Sequence, residues 1–234
     1  MTLEVSGLHA AYGKATVLRG VDLRLPERQV VALLGRNGMG KTTLMRSISG
    51  LHPPAVTAGS VRLKGEEILR LSNHAIARRG LALVPQGRRV FGSLTVEENL
   101  MIGFRRNEGG WDLERVYGLF PRLEERSNQR GGVLSGGEQQ MLAIGRALMT
   151  NPVVVLMDEP SEGLAPTVRD MVRDCLLLLK EDGQTVLLAE QNVDLAVDVA
   201  DRVAVIGESG EIGWEGDPAH LREDPALMNE LVGL

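Results

Sequence analysis

The sequence predicts an α/β fold in which a mixed central sheet carries an N-terminal antiparallel β subdomain and an inserted helical subdomain. Three observations carry this expectation. Nearly unbroken apolar runs at 30–34, 81–84, 153–157 and 185–189 have the composition of parallel strands buried on both faces. In residues 16–25, Asp22 and Arg24 alternate with Val21, Leu23 and Leu25, the period-two pattern of a strand with one wetted face. Between residues 87 and 149 the β-branched runs disappear and a helical pattern with charged faces replaces them. The expected division is a single domain over 1–234, with 1–86 and 150–234 forming the sheet core and β subdomain, and 87–149 the helical insertion.

Taken in order, residues 3–8 and 16–25 read as strands, and 30–34 as a buried strand leading into a helix over 42–49. Gly50-Leu51-His52-Pro53-Pro54 stops that helix with residues that break it. Residues 59–63 followed by Gly65 read as a hairpin, and 81–84 as a buried strand ended by Pro85-Gln86-Gly87. Inside the insertion, Thr95-Val96-Glu97-Glu98 is a capping box that starts a helix, and a further helix is expected over 119–126. Trp111, in the loop 107–111, reads as a packing anchor. The helix pattern at 168–181 between the runs 153–157 and 185–189 makes a βαβ unit. Residues 203–206, a Gly-containing turn and Ile212 form a terminal hairpin, and Asp217-Pro218 opens a closing helix.

The chemistry begins with Gly35-Arg36-Asn37-Gly38-Met39-Gly40-Lys41-Thr42-Thr43, which fits G-x-x-x-x-G-K-[ST] directly behind the 30–34 run. A strand, a glycine loop and a helix in that order turn backbone N–H groups around phosphates. Lys41 adds a mobile positive charge, and the Thr42 hydroxyl is a ligand for the Mg²⁺ that accompanies a nucleoside triphosphate. At the end of the 153–157 run stand Asp158 and Glu159, an acid suited to hold Mg²⁺ and a neighbour suited to polarise an attacking water. Ser135-Gly136-Gly137-Glu138 opens another helix, whose free N–H groups and positive dipole end favour a phosphate, although an ordinary N-cap would look the same.

Composition narrows the class. A net charge of −5 argues against a general electrostatic grip on nucleic acid. Cys175 is the single cysteine and can form no internal disulfide, and Met1 to Val5 lacks the basic and apolar regions of an export signal, which points to the cytoplasm. No apolar run approaches the roughly 20 residues that cross a bilayer, so a membrane role requires a partner.

The order of motifs, namely the phosphate loop, Gln86 after a strand, Leu134-Ser135-Gly136-Gly137-Glu138, then Asp158-Glu159, resembles the nucleotide-binding subunit of an ATP-binding cassette transporter from about Leu3 to Gly216. By that resemblance Tyr12 stacks on adenine and Gly35 to Thr43 cradle the phosphates. Gln86 touches Mg²⁺ and senses a membrane subunit, and Ser135, Gly136 and Gly137 contact the γ-phosphate held by an opposite protomer. Asp158 is the Mg²⁺ residue and Glu159 the catalytic base. It also implies a head-to-tail dimer with ATP at each composite site, membrane permease subunits docked near 86–99, and a place on the cytoplasmic face of the membrane. Arg88 and Arg89 read either as part of that dock or as solvated surface residues.

The segments 84–91, 94–100, 158–166 and 188–192 look like those of branched-chain amino acid importer ATPases, which implies a solute-binding protein and often a second, non-identical ATPase subunit. Urea and short-chain amide importers have similar subunits. A soluble cassette acting on nucleic acid or ribosomes, and a lipopolysaccharide exporter, are the other readings. Two departures from the general cassette pattern stand out: Gln191 occupies the place of the switch histidine upstream of Ala200-Asp201, and Ala165 that of a common Asp. Gln191 is therefore expected to be a neutral γ-phosphate contact, unable to accept a proton as imidazole does.

Overall fold

The computed structural model describes residues 1–223, and residues 224–234 of the expected domain lie outside the described part. Two sheets form. The first joins β1 (Leu3–Tyr12), β2 (Ala15–Leu25), β4 (Ala55–Leu63) and β5 (Glu66–Glu67) in the order β2-β1-β4-β5, antiparallel throughout. The second joins β3 (Val30–Leu34), β6 (Leu81–Val84), β7 (Val154–Asp158), β8 (Thr185–Glu190), β9 (Arg202–Ile206) and β10 (Ile212–Gly216) in the order β10-β9-β3-β8-β7-β6. Its strands are parallel except for the β9–β10 hairpin at one edge, so the sheet is mixed, as the sequence predicts.

The apolar runs are unbroken because each central strand is buried on both sides. Val155, Met157, Val186 and Leu188 face a core shared with the helices of the insertion, and Val154, Leu156, Leu187 and Ala189 face a second core shared with the antiparallel sheet. That second core also takes Leu44, Met45 and Ile48 from α1 (Lys41–Ile48). On α7 (Pro166–Glu181), Val172, Cys175, Leu176 and Leu179 recur at helical spacing and all are buried, which seats the helix on the first core.

The insertion carries α3 (Val96–Met101), α4 (Leu113–Leu119), α5 (Pro121–Glu125) and α6 (Gly136–Leu148). The Thr95 capping box forms as expected, with Thr95 Oγ1 accepting from the Glu98 N–H and Glu98 accepting from the Thr95 N–H. The helix expected over 119–126 begins only at Pro121, and a separate helix that the sequence reading did not name, α4, ends at Leu119. Phe120 leaves the helical region at φ −130°, ψ 73°, because a residue before proline is sterically barred from it, and Pro121 then begins α5. Trp111 is 9% exposed, its backbone N–H bonds Asn151 Oδ1 at 2.6 Å, and the Arg115 guanidinium lies 4.4 Å from its ring centre.

Three further differences are local. β1 continues to Tyr12 instead of stopping at residue 8, since Gly7, at φ +54°, allows a bulge and the chain then resumes pairing with both neighbours. β7 begins at Val154, where pairing with Leu81 of β6 starts, and the Gly80 carbonyl accepts there from both the Val153 and Val154 N–H groups. Two short helices escape the periodicity argument, α2 (Asn73–Arg78) and α8 (Val193–Val199), each started by a side-chain cap, Ser72 and Asn192. The closing helix is α9 (Pro218–Glu223).

Candidate active site

Parallel strands end together, and that places the chemistry. In register, Leu34 of β3 lies opposite Glu190 of β8, Ala189 opposite Asp158 of β7, and Met157 opposite Val84 of β6. The loops that leave these four strand ends therefore share one edge of the sheet, the usual position for a ligand in an open α/β fold. Each loop carries one of the motifs.

The phosphate loop packs tightly on its surroundings. Gly40, the N-cap of α1, sits at φ +110°, and a Cβ there would lie 2.8 Å from Leu18 Cδ2 and 3.2 Å from Val17 Cγ1. Only glycine fits both the conformation and the space. Asn37 and Gly38 turn at the exposed tip of the loop, Gly35 is buried at its base and Thr43 is buried in α1. The α1 helix has no side-chain cap, so its first N–H groups are available to an anion. Val17 and Leu18, which close on Gly40, lie in β2 just past the turn at which Tyr12, 39% exposed, pairs with Ala15.

Lys41 is 3% exposed and its Nζ donates to the Gly35 carbonyl at 2.6 Å and meets Glu159 Oε1 at 3.0 Å. Thr42 Oγ1 donates to Asp158 Oδ1 at 3.1 Å. The Gln86 amide donates to Glu159 Oε2 at 3.1 Å and to Glu162 Oε2 at 2.6 Å. These contacts form two neighbouring sets: Lys41, Glu159 and Gln86 share one and Thr42 bonds Asp158 in the other, with Lys41 and Thr42 at the start of α1, Gln86 after β6, and Asp158 and Glu159 at the end of β7. Glu159 occupies the left-handed region at φ +49° while its N–H completes the sheet by donating to the Ala189 carbonyl at 2.9 Å. For a non-glycine residue that conformation costs about 1–3 kcal/mol, and it swings the carboxylate from the strand end toward Lys41.

Burial pushes the Asp158 carboxyl up to about 6; the Thr42 hydroxyl and the Lys41 charge oppose the rise and the Glu159 and Glu162 carboxylates add to it. Asp158 thus feels two carboxylates and a single ammonium, an excess of negative charge that a divalent cation suits. Among the described residues no group of three His, Cys, Asp or Glu could hold a metal by itself. The hydroxyl of Thr42 and the carboxylate of Asp158 are hard oxygen donors, and Mg²⁺ is ordinarily bound by one or two such groups together with substrate phosphates.

Gln191 follows β8. Its side chain is exposed at the mouth of an open cleft lined by Glu159, Ser161, Glu162, Gly163 and Asn192. Ser135 caps α6 in a capping box, accepting from the Glu138 N–H at 3.3 Å while Glu138 accepts from the Ser135 N–H at 2.8 Å and pairs with Arg126 at 2.6 Å. The Glu138 side chain is therefore committed to the helix start, and the Arg126 charge and these bonds hold its carboxyl low against the effect of burial. Gly136 lies under the mobile tip of Arg88, and Gly137 lies against Val168, where a Cβ would meet the valine methyls at 2.8 and 2.9 Å. Among the described residues no hydrogen bond or ion pair joins Ser135, Gly136 or Gly137 to the cluster around Lys41.

Two residues of this edge escaped the sequence argument. Glu162 receives the Gln86 amide, and Glu190, 2% exposed, accepts N–H bonds from two different loops. The available signal for Glu190 was a carboxylate closing an otherwise apolar strand, which sequence reasoning reads as a strand end facing solvent.

Residues 18–162 match the ABC transporter family. The chain is 44% identical over 225 residues to the high-affinity branched-chain amino acid transport ATP-binding protein BraG of Pseudomonas aeruginosa, with 95% of each chain covered. It is 37% identical to the probable branched-chain amino acid transport ATP-binding protein LivF of Archaeoglobus fulgidus, with 97% of each covered. Among solved structures, a nucleotide-free ATP-binding cassette from an ABC transporter superposes with a TM-score of 0.82 at 27% identity, covering 97% of each chain. The chain belongs to the ABC transporter family, and it is the ATP-binding, ATP-hydrolysing cassette of that family.

Proposed function

We propose that this chain is the ATPase subunit of a branched-chain amino acid importer, acting at the cytoplasmic face of the membrane through permease subunits. The observation that carries the catalytic part is the arrangement at the sheet edge: Lys41 paired with Glu159, Gln86 bonded to Glu159, and Thr42 bonded to Asp158, the residue next to Glu159. The substrate class rests on BraG and LivF, whose extent this chain matches almost end to end. No helix among the described residues is long and apolar enough to cross a membrane, so coupling to transport requires permease subunits.

In this reading the loop from Gly35 to Thr43 wraps the β- and γ-phosphates, and Tyr12 meets the adenine. A γ-phosphate arriving beside Lys41 competes with Glu159 for the ammonium and releases the carboxylate to a water. Glu159 takes a proton from that water as its oxygen bonds to the γ-phosphorus, the bond from that phosphorus to the β,γ-bridging oxygen breaks, and ADP and phosphate result. Thr42 and Asp158, with Gln86 beside them, would hold a Mg²⁺ that neutralises charge on the phosphate oxygens. Gln191 supplies a neutral amide to the γ-phosphate. Ser135, Gly136 and Gly137 act on the nucleotide of a second ATPase subunit, identical or homologous, since within one chain they stand apart from the Lys41 cluster.

The permease contact falls beside the insertion. There Phe91 and Ile102, 48% and 55% exposed, line an apolar groove with Leu83, Ala143 and Ala147. The solute itself is delivered by a binding protein that this chain does not touch. Leucine uptake by proteoliposomes holding the permease subunits, the binding protein and this chain tests the assignment. ATP-dependent uptake is expected, and uptake that proceeds equally with Glu159→Gln in place of the native chain defeats it.

A further inference from the structure

We propose that Glu190 is a positioning residue, a buried carboxylate fork that locks the loop bearing Gln191 to the loop bearing Glu159. It rests on the placement of Gln191 at the γ-phosphate argued above. Glu190 is the last residue of β8 and 2% exposed. Its two oxygens serve two different segments. Oε1 accepts from the Ser161 N–H at 3.1 Å, and Oε2 accepts from the Gln191 N–H at 3.1 Å and the Asn192 N–H at 3.3 Å.

Burial lifts the Glu190 carboxyl above its ordinary range, and the bonds from Ser161, Gln191 and Asn192 work against that rise. No charged group is among the influences on it, so this carboxylate is sustained by the Ser161 hydroxyl and by backbone N–H donors rather than by a cation. An apolar side chain here would leave the Ser161, Gln191 and Asn192 N–H groups without this acceptor. What a carboxylate adds is a rigid bridge between loops.

Each arm grips something with a function. Ser161, itself 5% exposed, stands two residues after Glu159, in a turn closed by the Glu162 N–H on the Glu159 carbonyl at 3.2 Å. Fixing Ser161 fixes the turn in which Glu159 holds its left-handed conformation. On the other side, the Gln191 peptide is held between two anchors: Glu190 takes its N–H, and Asn192 both donates to Glu190 and caps α8 by accepting from the Leu195 N–H at 2.9 Å. The Gln191 backbone is thereby immobilised while its side chain stays free in the cleft. The bridge sets base and amide in one frame, and small displacements of such groups cost large factors in rate.

The chemistry dictates the probe. A glutamine at 190 has the same shape but one acceptor and one NH₂ group, so it can serve Ser161 or the Gln191–Asn192 pair, and it presents a donor to the other. Single-turnover hydrolysis and ATP affinity are measured on the full chain for wild type, Glu190→Gln, Gln191→Ala and the double variant. Glu190→Gln is expected to slow hydrolysis about tenfold or more, with ATP affinity within about twofold of wild type because the phosphate loop does not depend on the bridge. In the Gln191→Ala background the same change is expected to cost less than in the wild type, because the part routed through Gln191 is gone while the part routed through the Glu159 turn remains.

A wild-type rate in Gln191→Ala alone defeats the placement of Gln191 and this proposal with it. A slow Gln191→Ala beside an unimpaired Glu190→Gln, or equal losses in both backgrounds, overturns the fork and leaves Gln191 in its role. ATP binding in each sample reports that the chain is folded. Should Glu190→Gln not fold, Glu190→Asp carries the same cycle, its shorter arm losing reach to one loop while keeping the charge.

Discussion

Replacing Asp158 by Asn should stabilise the protein in the absence of nucleotide while disabling it. Asp158 is 3% exposed, and its carboxyl titrates at about 6 in the folded chain against 3.8 for the ordinary group. Folding therefore favours the protonated form. The penalty for this carboxyl begins as pH rises past the unfolded value and is fully developed above the folded one. A difference of about two pH units corresponds to about 3 kcal/mol above pH 6, and to about half of that at pH 5. An Asn keeps the shape and the oxygen that accepts from Thr42 and carries no charge, so it escapes the penalty. For a chain of this length each kcal/mol moves the midpoint by about 2–4 °C, so thermal unfolding without nucleotide should rise by about 6–12 °C at pH 8. The gain should shrink by about half at pH 5. Mg²⁺-dependent ATP turnover should fall at least a hundredfold, since the variant loses the anionic oxygen. An unchanged or lower midpoint at pH 8, or a gain independent of pH, would refute the reasoning that Asp158 is a destabilising charge kept for its ligand chemistry.

Glu159→Gln should bind ATP, lose most hydrolysis and accumulate an ATP-bound dimer in size exclusion; wild-type turnover would remove Glu159 from the role of base. Mixing Lys41→Ala with Ser135→Arg protomers should restore activity above either parent, because one composite site stays intact. Mixed dimers that bind ATP at that site yet show no recovery count against action across the interface. Leu176→Ala, at the 0% exposed centre of the α7 face, should cost about 2–5 kcal/mol in denaturant unfolding, and a cost under 1 kcal/mol would mean that α7 is not seated as described.

The ends of β3 and β6 and the starts of α3, α6 and α9 were legible because their determinants are local. Val30 to Leu34 is apolar since both faces of β3 are buried, Gly40 is required by its own φ, and Thr95 and Ser135 cap with partners three residues away. The same local logic supplied the candidates Lys41, Thr42, Asp158 and Glu159, whereas Gln86 came from the family resemblance. It failed where an element is shorter than its own periodicity, as in α2 and α8, and where two helical segments meet at Phe120 and Pro121.

Sequence alone determined which chemistry is present and in what order along the chain, because the phosphate loop, the strand-end acids and the helix caps are each built from neighbouring residues. Tertiary structure decided what meets what. Lys41 reaches Glu159, Gln86 reaches Glu159 and Glu162, and Glu190 reaches Ser161 only because β3, β8, β7 and β6 lie side by side and parallel, with their ends in register. Strand order is set by how buried faces close over the whole chain, a long-range property that no local window contains. That is why a carboxylate such as Glu190, unremarked at the end of its own strand, acquires a partner in each of two loops only once the sheet has assembled.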